Sequence, residues 1–374
     1  MSNIFDYLAW RGDLGFSHIP FNPVDNIILS QLSYLPLDGI VPSPEEKRGI
    51  SIAEAAEIFE KNLAKGKKEF KNRIMHKEDP HFIKTLGASA RFGNCELFGY
   101  INNVDPVQEK QMSCFSVLTG DGFCFVVYRG TDLTFIGWKE SINMGFNDII
   151  PAQLDAVAYL EKIAGLTKKP LRVGGHSKGG NLAIFASAFC SPKVRKRIKA
   201  IYSNDAPGFH KKVIQSDGFN EIRERIASFV PQSSVVGMLL EHGEYHSVVK
   251  SSKIGLLQHD LYSWEVTYSK MVQVDGVTKG SLFVDKTLRE WVENLNYDQR
   301  QRFIEVLFEV LSASNVKSFY ELSSDWFKTS RLMLRSIKNI DKPTKDIIQK
   351  TMTTLLKSAK NNIETLLPPL PRIK

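Results

Sequence analysis

Long apolar runs are missing from this 374-residue sequence. None approaches the length of about 18 residues that a membrane-spanning helix needs, so no span is expected. The opening MSNIFDYLAWRGDLGF has no basic patch followed by an apolar core. That excludes a secretory signal of the usual pattern and leads us to expect a cytoplasmic protein. Cysteine is scarce, with Cys95, Cys114, Cys124 and Cys190 scattered and no CxxC pair. A disulfide framework and a zinc site are both excluded on that spacing, and buried thiols are expected instead. No internal repeat is visible. Charge of one sign is not in general excess either, at 49 Lys+Arg against 41 Asp+Glu. Residues 294–374 hold 14 of those cations and 8 of those anions, which is +6 of the net +8. The rest of the chain is nearly neutral, so a basic nucleic-acid-binding body is not expected. With 43% hydrophobic and 24% charged residues the chain is not disordered or low-complexity.

Along the chain, residues 1–50 are rich in proline (Pro20, Pro23, Pro36, Pro42, Pro44) yet carry Phe5, Trp10, Phe16 and Ile28. We read them as a loop-rich arm wrapped on a core. Ser51 and Glu54 form a capping-box pair, followed by Ile52, Ala55, Ala56 and Phe59 at helical spacing, which predicts a helix over 51–74. CFSVL and FCFVVYRG flank Thr119-Gly120-Asp121-Gly122, a hairpin signal. An amphipathic helix is expected over 149–163. The strand LRVGG, the helix NLAIFASAF and the strands KAIYSN and IASFV follow. That alternation predicts βαβ units and a mainly parallel sheet. Asn296 and Gln299 can cap a helix carrying Phe303, Ile304, Leu307, Val310 and Leu311, and a last amphipathic helix follows Pro343. Three segments result: 1–88, an arm and helix packed on the core; 89–293, the α/β core; and 294–374, a basic helical extension.

The chemistry is concentrated in Leu171-Arg-Val-Gly-Gly-His-Ser177-Lys-Gly-Gly-Asn. Gly175-His176-Ser177-Lys178-Gly179 is a GxSxG with an apolar strand before it and a helix after it. In that context the serine sits on a tight strand-to-helix turn with its hydroxyl projecting from the sheet edge. The glycines two before and two after remove side chains that would collide with backbone. The amide of Lys178, at the helix N-terminus, faces the place where an oxyanion would form. Upstream, Tyr128-Arg129-Gly130-Thr131-Asp132 ends another strand. Thr131 is placed to supply a second oxyanion donor; a plain turn with a buried arginine salt bridge is the competing reading.

YRGTD…W followed by GGHSKGGNLA resembles the class 3 lipases, which pair an FRGT-like segment with GHSLGG. The wider pattern resembles a family of uncharacterised bacterial α/β-hydrolase-like proteins. NIFDYLAWRGDLGF, PFNPVDNIILSQLSYLPLDGIVP, YSNDAPGF, SFVPQSSVVGMLLEH and GLLQHDLYSWEV carry that match over about residues 3–267. The resemblance implies an α/β-hydrolase fold and esterase or lipase chemistry on a small-molecule or lipid ester, with no cofactor or metal. It names no substrate.

A serine nucleophile needs a base, and the base an orienting acid, in the order Ser, Asp or Glu, His for this fold. His210, His242, His246 and His259 follow Ser177. His259 matches the late histidine of the class 3 lipases, with His246 and His242 as alternatives. The turn in which those lipases keep their acid here reads Pro231-Gln232-Ser233-Ser234 and has no carboxylate. Asp205, in Ser203-Asn204-Asp205-Ala206-Pro207-Gly208, keeps the required order, though a turn aspartate is its ordinary role. The expected mechanism is acyl transfer by Ser177, His259 and Asp205 with donors at Thr131 and Lys178. The competing expectation is a hydrolase fold that binds rather than cleaves, acting at a membrane surface or on a protein partner. The basic C-terminal helices are the candidate peripheral membrane contact. Oligomeric state is left open.

Overall fold

A computed structural model describes residues 2–46, 48–66, 68–132, 135–145, 147–296, 298, 299, 302, 305 and 342–366. Its centre is an eight-stranded sheet whose strands lie in chain order: β1 (Ile50–Ser51), β2 (Glu96–Asp105), β3 (Lys110–Leu118), β4 (Cys124–Tyr128), β5 (Leu171–His176), β6 (Ile198–Asn204), β7 (Ile226–Pro231) and β8 (His246–Val249). The pairs from β1 to β4 are antiparallel and those from β4 to β8 parallel. This is the α/β-hydrolase architecture, with the mainly parallel half built from the strand–helix alternation read in the sequence. The TGDG turn closes the β3–β4 hairpin, where Thr119 N donates to Phe123 O over 3.0 Å.

Both faces of the sheet are covered, and β4 shows why its sequence is apolar throughout. Successive side chains point to opposite faces. Phe125 and Val127 enter one core cluster, while Cys124, Val126 and Tyr128 enter the other. The second cluster is filled by the helices Pro151–Leu166 and Lys178–Phe189. All four cysteines are free and buried. Burial pushes the Cys124 thiol up to about 12, so it packs as a small apolar group.

The first cluster contains what the sequence presented as a loop-rich arm. That segment instead forms α1 (Ile4–Arg11) and α2 (Pro23–Leu32), each started by an asparagine capping box at Asn3 or Asn22. The prolines misled because Pro23 occupies the first turn of α2, where it lacks only an amide that would be unpaired anyway. Every α2 residue from Val24 to Leu32 is buried. Asp25 is paired in the interior with Arg91 (2.6 Å) and accepts from the Tyr7 hydroxyl (2.9 Å). The expected helix over 51–74 is α3 (Ile52–Ala64), capped by Ser51 and Glu54, and a separate short turn follows at Lys68–Lys71.

Four further helices matter to the site: α4 (Phe135–Asn143), α5 (Pro151–Leu166), α6 (Lys178–Phe189) and α7 (Lys279–Glu293). Asn296 and Gln299 exchange the expected capping bonds at 3.0 and 2.9 Å. Phe303, Ile304, Leu307, Val310 and Leu311 lie outside the described residues. The last helix, α8 (Lys342–Asn362), rests on α7. Trp291 Nε1 donates to Thr351 O at 3.0 Å, and Asn361 and Asn362 donate to Glu290 at 2.6 Å. Thr351 and Ser358 are buried, while Ile363 and Leu366, just beyond the helix, are exposed. Among the described residues no helix is long and apolar enough to cross a membrane.

Candidate active site

Two parallel strands deliver the first two site residues side by side. β5 and β6 are in register at His176 and Asn204, and the next residue on each is Ser177 and Asp205. Both leave the β region, with φ of 58° at Ser177 and 47° at Asp205. Positive φ is costly for residues with a Cβ and persists where surrounding structure holds it. Here it is held by Ser177 N donating to Asn204 O (2.9 Å) and Asp205 N donating to Phe229 O (2.7 Å). Each turn is thereby tied to the neighbouring strand.

The serine turn needs its glycines. A Cβ on Gly179 would lie 2.1 Å from Tyr128 O, and one on Gly175 2.4 Å from the same oxygen. Directly after Ser177 begins α6, whose free amides and dipole point at the same space. The Arg129–Asp132 segment reaches the turn from β4. A Cβ on Gly130 would lie 2.9 Å from Ser177 Cβ, so Thr131 follows a residue packed against the serine. Thr131 Oγ1 is hydrogen-bonded to Ser141 Oγ on α4. Arg129 also pairs with Asp132 at 3.2 Å, so the salt bridge weighed as an alternative exists beside that placement.

Asp205 is buried, and three groups face its carboxylate. Ser234 Oγ donates to Oδ1 at 2.5 Å, Gly237 N to Oδ1 at 3.1 Å, and His259 Nδ1 to Oδ2 at 2.6 Å. His259 closes a short 3₁₀ turn, Gly255–His259, with its side chain 29% exposed. That turn is pinned by the buried Gln258, whose Oε1 accepts from Ser233 N (2.7 Å) and whose carbonyl accepts from Trp264 Nε1 (2.9 Å). The Pro231–Ser234 turn, which lacks a carboxylate of its own, thus serves Asp205 through Ser234 and the histidine turn through Ser233. Neither role was visible in the sequence, where the turn registered only for its missing acid.

His242 and His246 belong to a different group. His242 Nδ1 lies 3.2 Å from Glu244 Oε1, and its ring is 5.0 Å from that of His246. Burial lowers the pKa of His246. His210 contacts Met144 O through Nε2 at 3.2 Å. None of the three meets Asp205 in the contacts described.

His176 immediately precedes Ser177, and the sequence motif gives no separate signal for it. It is buried, its Nδ1 is 2.7 Å from the Tyr34 hydroxyl, and its ring centroid is 4.3 Å from that of His259. Burial, with the nearby His259, holds its pKa well below the ordinary histidine value, so it is neutral. The two rings are tilted by 38°, so the neutral His176 lies against the His259 imidazole without adding a second charge.

Ser177, Thr131, His176 and His259 open onto one cavity of about 1140 Å³. Its walls include Leu239, Leu256, Leu257, Leu288 and Trp291. Helix α7 forms one side and is anchored to the same turn, since Ser281 Oγ donates to Ser234 O and Thr278 N to Gln232 O. The cations at the cavity rim are paired: Lys253 with Asp260 (2.5 Å), Arg289 with Asp285 (3.1 Å), Lys211 with Glu241 (3.6 Å), and Lys212 with Asp148. Among the described residues no group of three or more metal-ligating side chains is gathered.

The chain is similar in structure to several lipases, each at low identity. A fungal lipase shares 12% identity with a TM-score of 0.38, over 68% of this chain and 86% of that one. The Lip2 lipase of Yarrowia lipolytica shares 12% with a TM-score of 0.33, over 48% and 83%. For the Rhizomucor miehei lipase–propeptide complex the values are 15% and 0.28, over 41% of this chain and only 57% of that one. No curated protein matches the sequence. The model of the Mbeg1-like family matches residues 86–309, more than half of the chain, and the protein belongs to that family.

Proposed function

We propose that the protein is a serine hydrolase that cleaves an ester by acyl transfer. The observation that carries this reading is the juxtaposition of a positive-φ Ser177 on a strand–helix turn with the Asp205–His259 pair at one cavity. In the proposed cycle, Ser177 Oγ attacks the ester carbonyl carbon and its proton passes to His259 Nε2. The carbonyl π electrons move onto oxygen, and the amides of Lys178 and Thr131 receive that oxyanion. Collapse expels the alcohol, which takes the proton from His259 and leaves an acyl-serine. Water, deprotonated by the same imidazole, then releases the acid. Asp205 fixes the tautomer with the proton on Nδ1, leaving Nε2 free to accept.

The cavity supports a neutral, largely apolar acyl group. Its leucine-rich wall has room for a chain of several carbons, and its rim cations already have acidic partners. A competing binding-only role was suggested by the missing acid in the Pro231–Ser234 turn. The 2.6 Å contact between the Asp205 carboxylate and His259 Nδ1 supports the hydrolase reading over it. The test is turnover of p-nitrophenyl butyrate. Wild type is expected to release nitrophenol and Ser177→Ala to fall to the uncatalysed rate with an unchanged melting temperature. A Ser177→Ala protein that keeps wild-type turnover sinks the proposal.

A further inference from the structure

A lysine at the first position of α6 is out of place on two counts. It puts a cation at the positive end of a helix dipole, and it buries that cation fully, at 1% exposure. Burial lowers the Lys178 pKa, and Glu140 opposes the shift. The ammonium is satisfied in the interior by three acceptors: Glu140 Oε2 (2.6 Å), Gln111 O (2.6 Å) and Gln111 Oε1 (2.8 Å). Glu140 is equally buried and also accepts from Gln111 N (3.0 Å) and Ala152 N (3.2 Å).

The partner's location gives this pair its meaning. Glu140 sits on α4, the helix that follows the Thr131 loop. One residue further along, Ser141 Oγ bonds Thr131 Oγ1 and donates to Gly137 O at 2.9 Å. One helix therefore grips both oxyanion-donor residues, Lys178 through Glu140 and Thr131 through Ser141. We propose that the buried Lys178–Glu140 pair is a positioning device for the oxyanion pocket, locking α4, and with it Thr131, against the nucleophile turn. The proposal rests on the acyl-transfer reading above. Oxyanion donors must be held to within about half an ångström to be effective, and a charged pair with every polar atom bonded has few alternative arrangements.

The test compares wild type with Lys178→Met/Glu140→Gln and with Ser141→Ala. The double change removes both charges at nearly constant volume, so neither is left buried alone. Readouts are kcat and KM for p-nitrophenyl butyrate, melting temperature, and the inhibition constant of a butyl trifluoromethyl ketone. That ketone forms a hemiketal oxyanion on an active serine. For the double variant, kcat is expected to fall about 100- to 1000-fold, the loss typical of one oxyanion donor. KM should stay within about threefold of wild type if only transition-state binding is lost. The ketone's inhibition constant should rise in step with the loss in kcat. Ser141→Ala should show the same pattern at about tenfold, the loss of one modest hydrogen bond. A merely structural pair would lower the melting temperature and leave kcat and ketone inhibition of the folded protein at wild-type values, which overturns the proposal. If the double variant does not fold, wild-type kcat and ketone inhibition in Ser141→Ala overturn it instead. A wild type with neither turnover nor ketone binding sinks the hydrolase reading and this proposal with it. Active wild type with unaffected variants sinks this proposal alone.

Discussion

Replacing Asp205 by asparagine changes one atom and should nearly abolish turnover. Its Oδ1 accepts from Ser234 Oγ at 2.5 Å and Gly237 N at 3.1 Å, and its Oδ2 from His259 Nδ1 at 2.6 Å. An asparagine must choose an orientation. With its NH₂ toward Gly237 two donors face each other in a buried site, at a cost of about 1–3 kcal/mol. The favoured orientation keeps the amide oxygen on Gly237 and Ser234 and turns the NH₂ toward His259. Nδ1 must then accept, the ring proton moves to Nε2, and Nε2 can no longer take the proton of Ser177. The same tautomer error in a serine protease triad costs about 10⁴ in kcat, which is about 5.4 kcal/mol of transition-state stabilisation. The assay is kcat for p-nitrophenyl butyrate, with a melting curve on the same sample. A folded Asp205→Asn protein within tenfold of wild type would refute the assignment of Asp205 as the orienting acid.

Ser234→Ala removes one charge-assisted bond to that carboxylate and should lower kcat by about 10- to 100-fold. Ser233→Ala should leave kcat unchanged, because among the described residues its hydroxyl is hydrogen-bonded to Thr278 Oγ1, at 3.3 Å, and not to Asp205; equal effects of the two changes would count against the Ser234–Asp205 contact. His176 predicts an acid-side loss of stability. Its folded pKa is held below the unfolded value near 6.5, so below that pH the unfolded chain takes a proton that the folded chain refuses. Stability falls by about 1.4 kcal/mol per pH unit for such a group. His176→Asn should therefore flatten the drop in melting temperature between pH 7 and pH 5, and parallel profiles would contradict it. Truncation after Asp341 removes the Thr351 acceptor from Trp291 and uncovers α7, so the melting temperature should fall by several degrees. Unchanged melting, together with lost binding to anionic vesicles, would instead make α8 a membrane contact.

Much of the core was legible because its signals are local. The β5–α6 turn is written in five consecutive residues, and the strand–helix alternation after it needs only period counting. The N-terminal helices were missed because their boundaries depend on Asn3 and Asn22 as caps, while Pro20 and Pro23 carry the stronger loop signal. Asp205 was singled out by chain order and His259 by the resemblance to the class 3 lipases, but their meeting could not be read from either. It depends on Gln258, Ser233 and Ser234, which come together across distant turns. The role of Lys178 was half visible: its amide was placed by the motif, but its side chain finds Glu140 only through the docking of α4. The docking of α8 on α7 uses the Thr351 carbonyl and the side chains of Asn361 and Asn362, polar groups that apolar spacing does not reveal.

The central claim is that Ser177 is an activated nucleophile. The most direct measurement is labelling of the intact protein with a fluorophosphonate probe, followed by mapping of the modified peptide. Reaction requires a deprotonated serine and a formed oxyanion pocket together, and no knowledge of the natural substrate. The account predicts one adduct, on Ser177, that disappears in Ser177→Ala and is strongly slowed in Asp205→Asn. An intact, folded protein that takes up no probe, or takes it up at another residue, would contradict it.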